Sequence, residues 1–194
     1  MAVLSELLEA PHVMTMPPLD DRRLVSRVLR HVLQGTTDGR LPRLNDVDPW
    51  LVGDDWSNCA LVRIRKPRDQ SVFIVVGDNL LSQREGVLDR EPISHCPPTT
   101  LLGVSLFFLA EAVEGRAAIM VEGGAAHLGT PILYRTLLVP LSEDDLTVEA
   151  VLIAANFREH RDEEQTSRVT RQVWSHSFAS RGAEPRRVPR EAAL

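Results

Sequence analysis

Residues 131–157, PILYRTLLVPLSEDDLTVEAVLIAANF, constrain the fold more than any other stretch of the chain. Side chains of a strand alternate between its two faces. In the first run Leu133, Leu137 and Val139 point one way and Ile132, Tyr134, Thr136 and Leu138 the other. In the return run Val148, Leu152 and Ala154 oppose Val151, Ile153, Ala155 and Phe157. Residues rich in Val, Ile, Leu, Thr and Tyr favour strand over helix, and Ser142-Glu143-Asp144-Asp145 between the runs reads as a solvated turn. An antiparallel hairpin with one exposed face shows polar residues on that face. Both faces here are apolar, so each must be covered.

The candidates for cover lie upstream. Over 19–33, LDDRRLVSRVLRHVL places Leu24, Val25, Val28, Leu29, Val32 and Leu33 on one helical stripe, with Asp20 and Asp21 at the start and Gly35 as a stop. Over 101–114 a helix capped by Thr99 or Thr100 is apolar nearly all round, which predicts burial. Alternation predicts strands at 58–67 and 71–81, joined by the turn Arg68-Asp69-Gln70, and a further strand region at 117–128 in which Gly123-Gly124 marks a bulge or a close backbone approach. Residues 36–56 and 82–98 are punctuated by Gly and Pro and read as connectors.

The sum is an α+β chain: a five-stranded antiparallel sheet in up-and-down order, a buried helix on one face and an N-terminal amphipathic helix for the other. Its segments are an arm and helix at 1–35, a domain at 36–158, and at 159–194 a polar helix followed by a disordered tail with few apolar residues. The helix at 19–33 either covers its own sheet or pairs with a second subunit, and a homodimer through this helix and the outer sheet face hides the most apolar surface.

Composition excludes several classes. A net charge of -5 in 194 residues gives no electrostatic footprint for nucleic acid or an anionic membrane. The basic residues are arginines except Lys66, which reads as base-composition bias. The N-terminus shows no secretory pattern, and the apolar stretch 101–113, broken by Gly103, Ser105 and Glu111, is shorter than the about 18–20 residues of a membrane span. The expectation is a cytoplasmic protein without membrane insertion. Cys59 and Cys96 are widely spaced and read as reduced thiols.

Three stretches carry a resemblance to a PAS-like family of small, mostly alphaproteobacterial proteins: LPRLNDVDP at 41–49, VFIVVGDNL at 72–80 and YRTLLVPLSEDDLTVEAVL at 134–152. The last is the most specific. The match spans about residues 36–158 and departs from the family at 82–98, which is shorter and richer in proline. The resemblance implies the PAS fold and a sensory or regulatory role, binding a small ligand or a signalling protein. It identifies no ligand.

No motif requires a cofactor. His95-Cys96, with His127 and Cys59, lacks the paired spacing of a zinc site, and no acid stands ready to orient a Cys-His nucleophile. Gly123-Gly124 is followed by strand, where a phosphate loop needs a helix. Glu143, Asp144, Asp145 and Glu149 lack the calcium-loop pattern. One site is expected, a pocket between the buried helix and the sheet lined by Phe107, Phe108, Met120, Tyr134, Arg135, Asn79 and His95; the plainer reading is that these aromatics fill the core. The functional expectation is a non-catalytic regulatory module. The alternatives are a small cone-shaped isomerase or cyclase using Glu111, Glu122, His127 or Glu149, and a ligand-free dimerisation scaffold.

Overall fold

The computed structural model describes residues 12–13, 23–36, 40–47, 53–81, 88, 90–127, 129–159 and 172–177. In chain order the elements are β1 (His12–Val13), α1 (Leu24–Gly35), β2 (Cys59–Arg63), β3 (Val72–Val76), α2 (Leu101–Leu106), α3 (Leu109–Gly115), β4 (Ala117–His127), β5 (Thr130–Leu141), β6 (Ala150–Glu159) and β7 (Gln172–Ser177). They make an α+β fold around one seven-stranded sheet of order β1-β7-β4-β5-β6-β2-β3. The five strands anticipated from alternation are contiguous and antiparallel, from β4 to the edge strand β3.

Three features differ from the sequence reading. The order is not up-and-down: β6 returns to lie beside β2, pairing Leu61 with Leu152 and Val62 with Val151, so the first hairpin closes onto the last strand. Residues 172–177, expected in a polar helix, are a strand antiparallel to β4. Its backbone pairing, from Ala117↔Ser177 to Glu122↔Gln172, satisfies what would otherwise be the open edge of β4, and unpaired edge N–H and C=O groups are costly to leave bare. Residues 12–13, expected in a loose arm, pair parallel to β7. The remaining residues of the polar helix and tail lie outside the described residues.

The two faces follow the hairpin's parity. On one, Ala60, Val62, Ile119, Val121, Ile132, Tyr134, Leu138, Val151, Ile153 and Ala155 meet Leu101, Leu102, Phe108, Leu109 and Ala112 of α2 and α3. On the other, Cys59, Leu61, Ala118, Met120, Leu137, Val139, Leu152 and Ala154 meet α1. That helix buries Leu24, Val25, Val28, Leu29 and Val32, each worth roughly 1.5–3 kcal/mol of gross burial. The apolar stripe that prompted a homodimer thus faces this chain's own sheet. Arg27 ties α1 to Asp55, with Nε 2.8 Å from Oδ2.

The helix expected over 101–114 is two. Thr100 caps α2, accepting from Gly103 N–H at 3.1 Å while donating to the Pro97 carbonyl at 2.9 Å. At its end Phe107 and Phe108 donate to carbonyls three residues back, Val104 and Ser105, and the Ser105 hydroxyl returns to the Leu101 carbonyl at 2.9 Å. Such bonds tighten and bend a helix. The break turns Phe108 into the core and leaves Phe107 69% exposed. Gly103 permits the approach of the preceding loop, since a Cβ there would stand 2.1 Å from the Pro97 oxygen. Among the described residues no helix is long and apolar enough to cross a membrane.

Candidate functional site

The candidate pocket residues do not converge. Phe108 and Tyr134 are buried together between α2–α3 and the sheet. Phe107 faces solvent from the helix break. Met120 lies on the opposite face under α1, because it pairs with Leu137 and shares that residue's parity. Asn79 is exposed, donating to Ser57 Oγ at 3.1 Å, and exposed His95 sits 3.0 Å from Glu91. Arg135, on the α1 face, forms an ion pair with Glu122. The space between helices and sheet holds Phe73, Leu101, Leu102, Leu109, Ile119, Leu138 and Ile153, all fully buried. These side chains pack as one apolar cluster between the helices and the sheet.

Gly123 is not at a bulge. The β4–β5 register runs unbroken from Ile119↔Leu138 to His127↔Thr130, and the Tyr134 ring lies over Gly123 with its hydroxyl 3.1 Å from a virtual Cβ. Tyr134 thereby covers the backbone that a glycine leaves bare in a strand.

The acidic turn is more than a solvated loop. Asp145 Oδ1 accepts the Leu41 N–H at 3.0 Å, Glu143 Oε1 accepts the Leu44 N–H at 3.1 Å, and Ser142 N–H donates to the Pro42 carbonyl at 2.9 Å. Two of the stretches that carry the resemblance, 41–49 and 134–152, are therefore stitched to each other. Asp144 Oδ1 closes the turn by accepting the N–H groups of Leu146 and Thr147, both at 2.8 Å, and the Ser142 hydroxyl at 3.0 Å. The Thr147 and Leu146 N–H groups hold the Asp144 carboxyl below the usual carboxylate range. From the far side Arg116, left-handed at φ 48° after α3, donates to the Leu146 and Asp145 carbonyls, each at 2.6 Å.

The surface is indented beside this bracket and elsewhere. One cleft, of about 440 Å³, lies between the β2–β3 turn, the end of α3 and residues 146–148. Its rim carries Arg65, Lys66, Arg68 and Arg116 against one acid, Glu114; its floor is Ile64, Val113 and Val148. A second, of about 380 Å³ at the other end of the sheet, joins Arg23, Arg135 and Arg158 with Glu122 and Asn156, and brings together two of the expected residues, Tyr134 and Arg135. Sequence reasoning missed the first cleft. The cation-rich run R-I-R-K-P-R at 63–68 was the available signal, but Glu114, Arg116 and Leu146 come from elements far along the chain.

Among the described residues reactive groups are not gathered. Burial pushes the Cys59 thiol up to about 12, and Cys96 is also buried. Among the described residues no group of three or more His, Cys, Asp or Glu is placed to hold a metal. Of the carboxylates considered for an isomerase, Glu111 and Glu149 are exposed and Glu122 is paired with Arg135; the His127 side chain lies outside the described residues. Compared with protein-family models and with curated protein sequences, the chain matches none.

Proposed function

We propose that this chain is a PAS-like regulatory module without catalytic activity, which signals by contact with another protein. Support comes from five antiparallel strands with a helical pair crossing one face, the arrangement implied by the resemblance at 41–49, 72–80 and 134–152. One observation carries the reading: the space between the helices and the sheet is filled by Phe73, Leu101, Leu102, Leu109, Ile119, Leu138 and Ile153. A small-molecule site between the helices and the sheet needs a chamber there; an interaction module needs only surfaces. Native mass spectrometry with amide NMR of the purified protein tests it. The expected result is a mass with no retained small molecule and helix–sheet amides that stay put in the presence of cell-extract metabolites. A retained molecule that moves the amides of 101–115 and the facing strands overturns it in favour of a ligand sensor, and conversion of that molecule favours an enzyme.

A further inference from the structure

We propose that the cationic cleft between the β2–β3 turn and the end of α3 docks an acidic segment of a partner protein, one with an aliphatic or aromatic residue set between its carboxylates. The inference rests on the reading of this chain as an interaction module, and it names the surface and the chemistry of the partner.

Charge is the first argument. The chain as a whole carries -5, yet this cleft concentrates cations, the only lysine among them. Arg68 is answered by Glu114 at 3.0 Å, and Arg116 is spent on the carbonyls of Asp145 and Leu146. Arg65 and Lys66 are exposed, and no carboxylate among the described residues pairs with either side chain. A local excess of one sign on a chain of the other steers a partner of complementary charge and rejects the rest.

Hydrophobicity is the second. Leu146, 76% exposed, stands at the rim above the half-buried Ile64, Val113 and Val148. A free phosphate would satisfy the cations and leave that floor wet. A nucleic acid needs a broad basic surface, which a chain of this net charge does not offer. A peptide carrying both carboxylates and an apolar side chain covers the whole cleft.

Pre-organisation is the third. The two 2.6 Å bonds from Arg116 hold the Leu146 turn against the end of α3, and Arg68 reaches Glu114 on the opposite wall. Little ordering is left for the partner to drive.

The test is an immobilised panel of short peptides with Asp or Glu at the outer positions and Leu, Ile, Phe or Trp at the centre, beside Asn/Gln counterparts, with amide NMR of the full chain for the best binder. The expected result is binding confined to acidic members, weakened by salt, with shifts gathered at 64–68, 113–116 and 146–148. The double variant Arg65→Glu/Lys66→Glu, whose two side chains are exposed and whose melting temperature is measured alongside, should weaken it at least about tenfold. Equal binding of neutral peptides, no binding by any member, an unaffected double variant, or tighter binding of a single-stranded oligonucleotide of matched charge overturns the proposal. Shifts clustered elsewhere on the chain overturn the cleft while leaving the interaction-module reading standing.

Discussion

Thr136 donates a 2.9 Å hydrogen bond to Ser105 across the interface between α2 and the middle of β5, and neither side chain reaches solvent. The Ser105 hydroxyl donates in turn to the Leu101 carbonyl, so a two-step chain of hydrogen bonds fixes the helix break against the sheet. Apolar packing is non-directional; this bond supplies the register that it lacks. A double-mutant cycle of Thr136→Val and Ser105→Ala, followed by urea unfolding, should give single losses of about 1–2 kcal/mol and a coupling of about 0.5–1.5 kcal/mol. Strict additivity would show that the pair carries no shared energy.

Glycines 103 and 115 predict opposite outcomes for the same substitution. Gly103→Ala drives a methyl into the Pro97 carbonyl, 2.1 Å away and part of the backbone, where neither side can yield cheaply. A loss of about 2–4 kcal/mol is expected. At Gly115 the nearest atom is the Ala117 Cβ at 3.9 Å, an ordinary contact, so Gly115→Ala should be neutral or stabilise by up to about 1 kcal/mol. Thermal melts of the two variants decide the matter, and equal losses would contradict the close approach.

These two glycines also show where the sequence is legible. The face parity of 132–139 and 148–157 could be read because a strand's period of two is local, and α1 declared itself through its stripe. What Gly103 approaches could not be read, because the loop that crowds it is placed by the Pro97-Pro98 backbone. The pairing of β6 with β2 brings Leu61 and Leu152 together across most of the domain, and no local pattern encodes that. Strand β7 was hidden by the charged residues before it. For the site, Met120 was misassigned although its parity was available; counting back through the 127↔130 turn pairs it with Leu137 on the α1 face. The acidic run was legible as a turn, whereas its closing by Asp144 and its partners Leu41 and Leu44 were not.

Acid should expose the role of Asp144. Its carboxyl is held below the ordinary value of 3.8 in the folded chain by the N–H groups of Thr147 and Leu146. A depressed folded value contributes stability that is present above the unfolded value and is lost as pH falls through the folded one. Wild type should therefore exceed Asp144→Asn in stability at neutral pH, and the gap should narrow as pH is taken below about 4. Urea midpoints across that range give the comparison; a constant gap would mean that ionised Asp144 does not hold the turn.

Cys59 predicts an alkaline limb. Its thiol is raised from 9.0 to about 12, with burial the larger cause and the charge of Asp55 the lesser. The unfolded chain ionises first, so this contribution is complete below about 9 and declines as pH climbs toward 12. The native protein at mildly alkaline pH should resist a thiol-specific disulfide reagent, with both cysteines reacting once guanidinium unfolds the chain. Rapid labelling of Cys59 in the native state would contradict its burial. Cys59→Ala should remove the alkaline limb.

Asp145 joins three segments through one carboxylate and one backbone angle. Its Oδ1 accepts the Leu41 N–H at 3.0 Å and lies 3.4 Å from Arg116, while its φ of 58° is a left-handed value that Asn tolerates better than most residues. Asp145→Ala strands the Leu41 N–H and removes the anion beside a partly buried guanidinium, for an expected loss of about 1–3 kcal/mol. Asp145→Asn keeps an acceptor of the same shape and the same backbone preference, and loses only the charge, so its cost should be roughly half as large. Hydrogen exchange separates the two further: the Leu41 and Leu44 amides should lose protection in the Ala variant and keep most of it in the Asn variant. Equal destabilisation with protection lost in both would show that the charge, rather than the hydrogen bond to Leu41, holds residues 40–47 against the turn.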